Sequence, residues 1–207
     1  MIEKVAIFFE FLDKFFTVSQ YLEIGPGRGD FLLALAREHP QDAFAAVEYK
    51  AKRVAKIQKR IEKAGLTNIT LYLGDARKVL SSEGDTPCPI PDKSIDRLYV
   101  LFSDPWPKRR HAPHRLFRQD FLDMMYRVLA PEGILYVAHD NPTYVTEIKA
   151  LFSKNISHFI DLGPWDIQTM TFYGEKWLKE GRTLNFFHYR KIDSQDADHI
   201  AQPCVQP

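Results

Sequence analysis

Two cysteines in 207 residues, Cys88 and Cys204, leave this chain without a disulfide framework. They lie far apart and form no CxxC, so they read as incidental thiols of a reducing compartment. The seven histidines, His39, His111, His114, His139, His158, His188 and His199, show no HxxxH or Cys/His spacing, so no metal site is expected. No G-x-S-x-G elbow is present, which removes that route to a serine nucleophile. No segment approaches the roughly 18 apolar residues of a membrane span. Neither sign of charge dominates: 28 Lys and Arg stand against 27 Asp and Glu. That balance neither indicates nor excludes a nucleic-acid partner, and only the local placement of charge can decide. There is no internal repeat.

What remains is an ordinary globular composition, 45% hydrophobic and 27% charged. The length suits one domain with a core of its own. Near the start, Val5, Phe8, Phe9, Leu12, Phe15 and Phe16 recur with helical spacing, and Glu10, Asp13 and Lys14 interrupt them. With no positive n-region and no small-residue cleavage site, residues 1–19 are expected to form an amphipathic helix rather than a signal peptide. Short apolar runs then alternate with helical ones. Strands are expected at Tyr21–Ile24, Ala43–Val47, Asn68–Leu73, Ser94–Phe102, Ile134–Ala138 and Thr183–Tyr189. Helices are expected at Phe31–Glu38, Ala51–Ala64, Phe117–Leu129 and Thr143–Phe152. Such alternation predicts an α/β fold of the Rossmann-like kind: a mainly parallel twisted sheet with helices on both faces. The last strand, near the C-terminus, is expected to run antiparallel. Residues 1–192 are expected to form one domain, Ser81–Lys93 a proline-rich loop, and 193–207 a flexible polar tail.

The first strand runs into Glu23-Ile24-Gly25-Pro26-Gly27-Arg28-Gly29. Glycines here let the backbone turn tightly and approach a ligand. The dinucleotide fingerprint would place its third glycine at position 30, where this chain has Asp30. Glu23 followed by Gly25, Gly27 and Gly29 instead resembles the first motif of class I S-adenosyl-L-methionine-dependent methyltransferases. A tight turn with no ligand is the plainer alternative. Glu48 ends the second strand, where an acid can accept both hydroxyls of a ribose. A surface glutamate would look the same. Gly74-Asp75-Ala76 follows the third strand. In class I methyltransferases an acid here meets the adenine amino group, and Asp75 can also cap a short helix.

The fourth strand leads into Ser103-Asp104-Pro105-Trp106-Pro107-Lys108-Arg109-Arg110-His111. A carboxylate at the tip of a central strand faces the ligand crevice of an open α/β sheet. Two prolines fix the backbone there, and Trp106 offers a flat apolar wall. Asp104-Pro105-Trp106-Pro107-Lys108 with Arg110-His111 resembles the signature of tRNA (guanine-N7)-methyltransferases. The resemblance runs from about Leu22 to Tyr189, through His139-Asp140 and then Thr171-Phe172-Tyr173-Gly174-Glu175-Lys176 and Gly181. The chain departs from the pattern in several places. Ser103 stands where the family has Pro, and His139 where it has Thr. Ala112-Pro113-His114-Arg115 replaces a Lys/Arg-rich run. Gly174 occupies the position of the family's glutamate, with Glu175 one residue on. The segment before the first motif is short.

The resemblance implies an enzyme that moves a methyl group from S-adenosyl-L-methionine to guanine N7 in tRNA, at guanine 46 of the variable loop. It implies cofactor contacts at Glu23, Gly25, Gly27, Gly29, Glu48, Asp75 and Asp104. Asp104 would also be the catalytic group, beside the substrate. Substrate contacts would come from Lys108, Arg110, His111, Arg115, Asp140, Thr171, Tyr173, Gly174 and Glu175. Asp140 or Asn141 could equally cap the helix that Pro142 opens. The prolines at 107 and 113 forbid a regular helix, so Lys108 to Arg118 is expected to be a charged loop able to hold phosphates. Lys52, Lys56, Lys59, Arg60 and Lys63 lie opposite Val54, Ile57 and Ile61, the pattern of a solvated amphipathic helix. A cytoplasmic monomer or homodimer is expected. Two other readings stand beside this one: a class I methyltransferase acting on a different substrate, and a non-catalytic RNA-binding subunit of the same fold. Gly174 keeps the latter open.

Overall fold

The computed structural model describes residues 18–81, 88–166 and 170–192. The expected N-terminal helix and polar tail lie outside the described residues, as does part of the Ser81–Lys93 loop. Seven strands form one sheet in the order β3-β2-β1-β4-β5-β7-β6. They are β1 (Gln20–Ile24), β2 (Ala43–Glu48), β3 (Ile69–Leu73), β4 (Ile95–Leu101), β5 (Leu129–His139), β6 (Phe159–Asp161) and β7 (Asn185–Lys191). Strands β1 to β5 pair parallel, and β7 pairs antiparallel with both β5 and β6. The Rossmann-like α/β architecture is therefore as the sequence predicts.

The helices are α1 (Asp30–Glu38), α2 (Ala51–Ala64), α3 (Ala76–Val79), α4 (Gln119–Val128), α5 (Pro142–Ser153) and α6 (Phe172–Lys179). Strand residues alternate between the two faces, as a period of two requires. Leu22, Ile24, Leu98, Val100, Leu135 and Val137 pack with Phe121, Met125 and Ile148 of α4 and α5. Tyr21, Tyr99, Leu101 and Ala138 point the other way, onto Phe31, Leu32 and Leu33 of α1 and Ile57 and Ile61 of α2. Each face is thus covered by helices, which leaves the carboxyl ends of the strands as the place where such a sheet takes a ligand. Strand order reverses between β1 and β4, which places the crevice at the tips of those two strands.

Four elements differ from expectation. Strand β5 begins at Leu129, directly after α4, rather than at Ile134. Lys108–Arg115 is not plain loop. Arg109–His114 winds into a 3₁₀ helix with Pro113 inside it, because that tighter turn needs only i→i+3 bonds and survives in a short piece. Strand β6 and helix α6 were not anticipated.

Candidate active site

Residues at the ends of β1 and β2 make one half of the site. Gly25, Gly27 and Gly29 adopt φ of 73°, 60° and 75°, the left-handed region where a side chain is strained. At Gly29 a Cβ would also stand 3.1–3.2 Å from Leu33 and Ile57, so the α1–α2 packing requires glycine there. The turn is tied to the sheet by the Gly25 amide, which donates to the Val47 carbonyl at 2.8 Å.

Glu48, 3% exposed at the tip of β2, accepts from the Gly27 amide at 3.3 Å and the Lys50 amide at 2.9 Å. Its second neighbour is Arg53, 3.7 Å away, whose other nitrogen donates to the Tyr173 hydroxyl at 3.3 Å. Glu23 is 4% exposed, and its Oε2 has no hydrogen-bond partner. Burial, helped by the nearby Asp30 and Glu48 charges, raises its carboxyl to about 8. A buried carboxyl oxygen without a partner is costly unless a ligand supplies one. Asp75 caps α3 by accepting from the Arg77 amide at 2.9 Å. Tyr49 and Leu73, which follow or end β2 and β3, are 71% and 56% exposed and offer apolar surface beside these acids. Sequence reasoning passed over Arg53, Tyr49 and Leu73, although each adjoins a motif it had used.

The tips of β4 and β5 make the other half. Asp104 is exposed, and its Oδ1 accepts from the Trp106 amide at 3.1 Å. Phe102 and Trp106 have φ of 55° and 43°, so two non-glycine residues around the aspartate sit in the left-handed region. His139, 1% exposed, bridges the two tips. Its Nε2 lies 2.8 Å from the Ser103 carbonyl, and its Nδ1 accepts from the Asn141 amide at 2.9 Å. A carbonyl can only accept, so Nε2 carries the proton and the ring is neutral. Burial lowers the imidazole's affinity for a second proton, against the backbone bond to Ser103 and the charges of Asp140 and Asp104.

Asn141 is the cap of α5, accepting from the Tyr144 amide at 2.9 Å. Asp140 is therefore released from that role and pairs with Arg182 at 2.6 Å. The Arg182 guanidinium stacks 3.7 Å from the Trp177 ring centre. Thr171 caps α6 by accepting from the Gly174 amide at 2.9 Å. Helix α6 leans on the glycine turn: Tyr173 Cε2 would lie 3.7 Å from a Cβ at Gly27, and the Arg28 guanidinium sits 4.2 Å from the Phe172 ring centre. Gly174 faces inward, where a Cβ would collide with Met170 and crowd Phe102 at 3.2 Å. Glu175, one residue on, is exposed.

The basic residues divide. Lys108 and Arg110 are exposed, and Arg110 Nε donates to His111 Nε2 at 3.3 Å. Arg115 turns inward, onto the Pro105 and Trp106 carbonyls and Glu147. On α2, Arg60 pairs with Asp30 at 2.8 Å and with the Arg28 carbonyl, so it serves the glycine turn. Among the described residues no group of three or more His, Cys, Asp or Glu could hold a metal. Among them too, no helix is long and apolar enough to cross a membrane.

The chain is similar to known proteins. A family model described as "Putative methyltransferase" matches residues 18–186. A tRNA (guanine-N(7)-)-methyltransferase of Nitrosomonas eutropha is 32% identical over 186 residues, covering 87% of this chain and 80% of its own. One from Rhizobium johnstonii is 34% identical over 178 residues, covering 83% and 73%. Among solved structures, an S-adenosylmethionine-dependent methyltransferase of Aquifex aeolicus superposes with a TM-score of 0.55 at 17% identity, over 88% of each chain. That last likeness speaks for the fold.

Proposed function

The chain belongs to the tRNA (guanine-N7)-methyltransferase family, and we propose that it methylates N7 of a guanine in tRNA, at guanine 46 of the variable loop. The observation that carries this reading is the pairing, on the two adjacent strands where the order reverses, of a buried Glu23 whose Oε2 has no hydrogen-bond partner and the strained Asp104 loop that follows β4.

The residues fit S-adenosyl-L-methionine. Gly25, Gly27 and Gly29 leave room for close approach, and Glu23 awaits a cationic partner. Glu48 remains placed for ribose hydroxyls, Asp75 for the adenine amino group, and Tyr49 and Leu73 for the ring's apolar faces. When bound, the cofactor supplies a sulfonium methyl, whose transfer to the N7 lone pair releases no proton and leaves the guanine ring positively charged. No general base is then required, and catalysis is positioning plus electrostatics. Asp104 provides the charge. Its carboxylate can accept from guanine N1–H and the N2 amino group once the base leaves its stack, and it stabilises the cation as it forms. Asp140, with Arg182 beside it, is the second acidic contact. Thr171, Tyr173, Gly174 and Glu175 bring α6 over the same opening.

Lys108, Arg110 and His111 are placed for backbone phosphates, consistent with a local basic patch on a near-neutral protein. A tRNA substrate and the free thiol of Cys88 favour the cytoplasm.

The test is incubation of unmodified tRNA with the protein and methyl-labelled cofactor, followed by nucleoside analysis. Label in 7-methylguanosine, mapped to the variable loop, is the expected result. Label in another nucleoside or in no RNA overturns it. Tight tRNA binding with no transfer would mark a non-catalytic subunit, the alternative raised by Gly174 standing at the family's glutamate position, and would overturn the proposal.

A further inference from the structure

Asp104 is flanked by three backbone carbonyls that face inward: Ser103 before it, and Pro105 and Trp106 after it. Each accepts a hydrogen bond from a side chain outside the loop. His139, at the tip of β5, holds Ser103 at 2.8 Å. Arg115, just past the 3₁₀ helix, holds Pro105 through Nε at 2.9 Å and Trp106 through Nη2 at 3.2 Å. The remaining nitrogen of the fork, Nη1, pairs with Glu147 on α5. Arg115 is itself fixed, since its carbonyl accepts from Arg77 on the α3 side and its guanidinium lies 5.6 Å from the Tyr144 ring centre. Its side chain is 16% exposed. All three nitrogens of this guanidinium have partners within the protein.

The loop needs such holding. Phe102 and Trp106 occupy left-handed backbone conformations without being glycine. Strain of this kind persists only where surrounding contacts over-determine it. Arginine suits the task because its rigid fork reaches several acceptors at once, which a lysine ammonium cannot do.

We propose that Arg115 is a positioning residue for Asp104, with His139 as its counterpart on the other side of the loop, and that it makes no phosphate contact. The proposal rests on Asp104 being the group that meets guanine. Release of the brace lets the strained backbone relax and moves the carboxylate off its target. A misplacement of about 1 Å costs on the order of 10²-fold in rate.

Arg115→Lys separates the two roles, because it keeps the positive charge and loses the fork. In the tRNA-free protein, amide exchange across 102–107 is expected to accelerate about tenfold or more as the loop opens locally. With saturating tRNA and cofactor, the single-turnover rate is expected to fall about tenfold or more. Affinity for tRNA and its salt slope are expected to stay at the wild-type level. Unchanged exchange and rate, or a loss confined to tRNA affinity, overturns the proposal. If Arg115→Lys does not fold, Glu147→Gln loosens the outer end of the same brace. Faster exchange over 102–107 in that variant supports the proposal, and wild-type exchange overturns it. The exchange measurement needs no activity. A wild-type protein that makes no 7-methylguanosine therefore refutes the proposed reaction while leaving the brace separately readable.

Discussion

At the tips of β1 and β2 two glutamates are almost wholly buried, whereas at the tip of β4 Asp104 stands open to solvent. Of the first pair, Glu48 is held by backbone amides, and Glu23 lies near the charges of Asp30 and Glu48 with its Oε2 unpartnered. The second site is a strained loop whose own carbonyls are gripped from β5 and from beyond the 3₁₀ helix. Burial makes the β1–β2 side sensitive to charge, since an acid there is either protonated or answered by a cation. Exposure makes the β4 side sensitive to geometry as well as to charge, since a carboxylate open to solvent acts on a base only where the loop holds it. The two halves therefore break in different ways when altered.

The sharpest test of the exposed half is Asp104→Asn. The amide keeps the size but removes the negative charge and presents donors where guanine presents donors. Turnover is expected to fall by about 10²-fold or more, the scale of losing one preorganised electrostatic group. Melting temperature is expected to hold, because the side chain is not core. An alternative is that Asp104 merely shapes the turn through its bond from the Trp106 amide, which Asn could also accept. A single-turnover rate within a few-fold of wild type would establish that alternative.

In the buried half, Glu48→Ala removes the acceptor for the Gly27 and Lys50 amides together with the expected ribose contact. Binding of S-adenosylhomocysteine, read by calorimetry, is expected to weaken by roughly 1–3 kcal/mol. Wild-type binding of NAD with none of the methyl cofactor's product would refute the cofactor assignment outright.

Glu23 gives the buried half a pH signature. Its folded carboxyl titrates near 8, well above an ordinary glutamate. Between those two values the folded state keeps a proton that the unfolded chain has lost. Stability of the ligand-free protein is therefore expected to fall as pH rises through that window, by about 1.4 kcal/mol per pH unit from this group, and to level off above it. Glu23→Gln is expected to abolish that component of the slope and to be relatively more stable at alkaline pH. Denaturant unfolding at several pH values checks this, and parallel curves for the two proteins would count against it.

These contrasts were unevenly legible in the sequence. In the buried half the positions of the glycine turn and the strand-end acids were legible, because these are local signals with a local cause, whereas Arg53, Tyr49 and Leu73 carried no such signal. Asp104 was legible for the same reason. What escaped depends on contacts between distant segments. Strand β6 has three residues, too few for any periodicity, and α6 opens on Thr171-Phe172-Tyr173-Gly174, which looks like turn. Asp140 and Asn141 are both good caps, and only the fold shows that Asn141 takes the role and leaves Asp140 to Arg182. Arg115 sits in a basic run where every member looks alike. Its neighbours Pro105, Trp106 and Glu147 are up to 32 positions away, and nothing in composition foretells them.

That division within the basic run yields the smallest expected effect. Arg110 is exposed, and its recorded partner is the adjacent His111, so its charge remains available to an approaching phosphate. Neutralising one phosphate releases about one condensed counterion, so Arg110→Ala is expected to weaken tRNA binding and lower the salt slope by about one unit. Cofactor affinity is expected to be unchanged, since the Arg110 side chain bonds to His111 and not to the glycine turn. The single-turnover rate at saturating tRNA is likewise expected to stay close to wild type, which is the reverse of the pattern for Arg115→Lys. Titrations of tRNA at several salt concentrations measure the slope directly. A wild-type slope for Arg110→Ala would place the RNA backbone elsewhere, with the exposed lysines of α2, Lys52, Lys56, Lys59 and Lys63, as the next surface to examine.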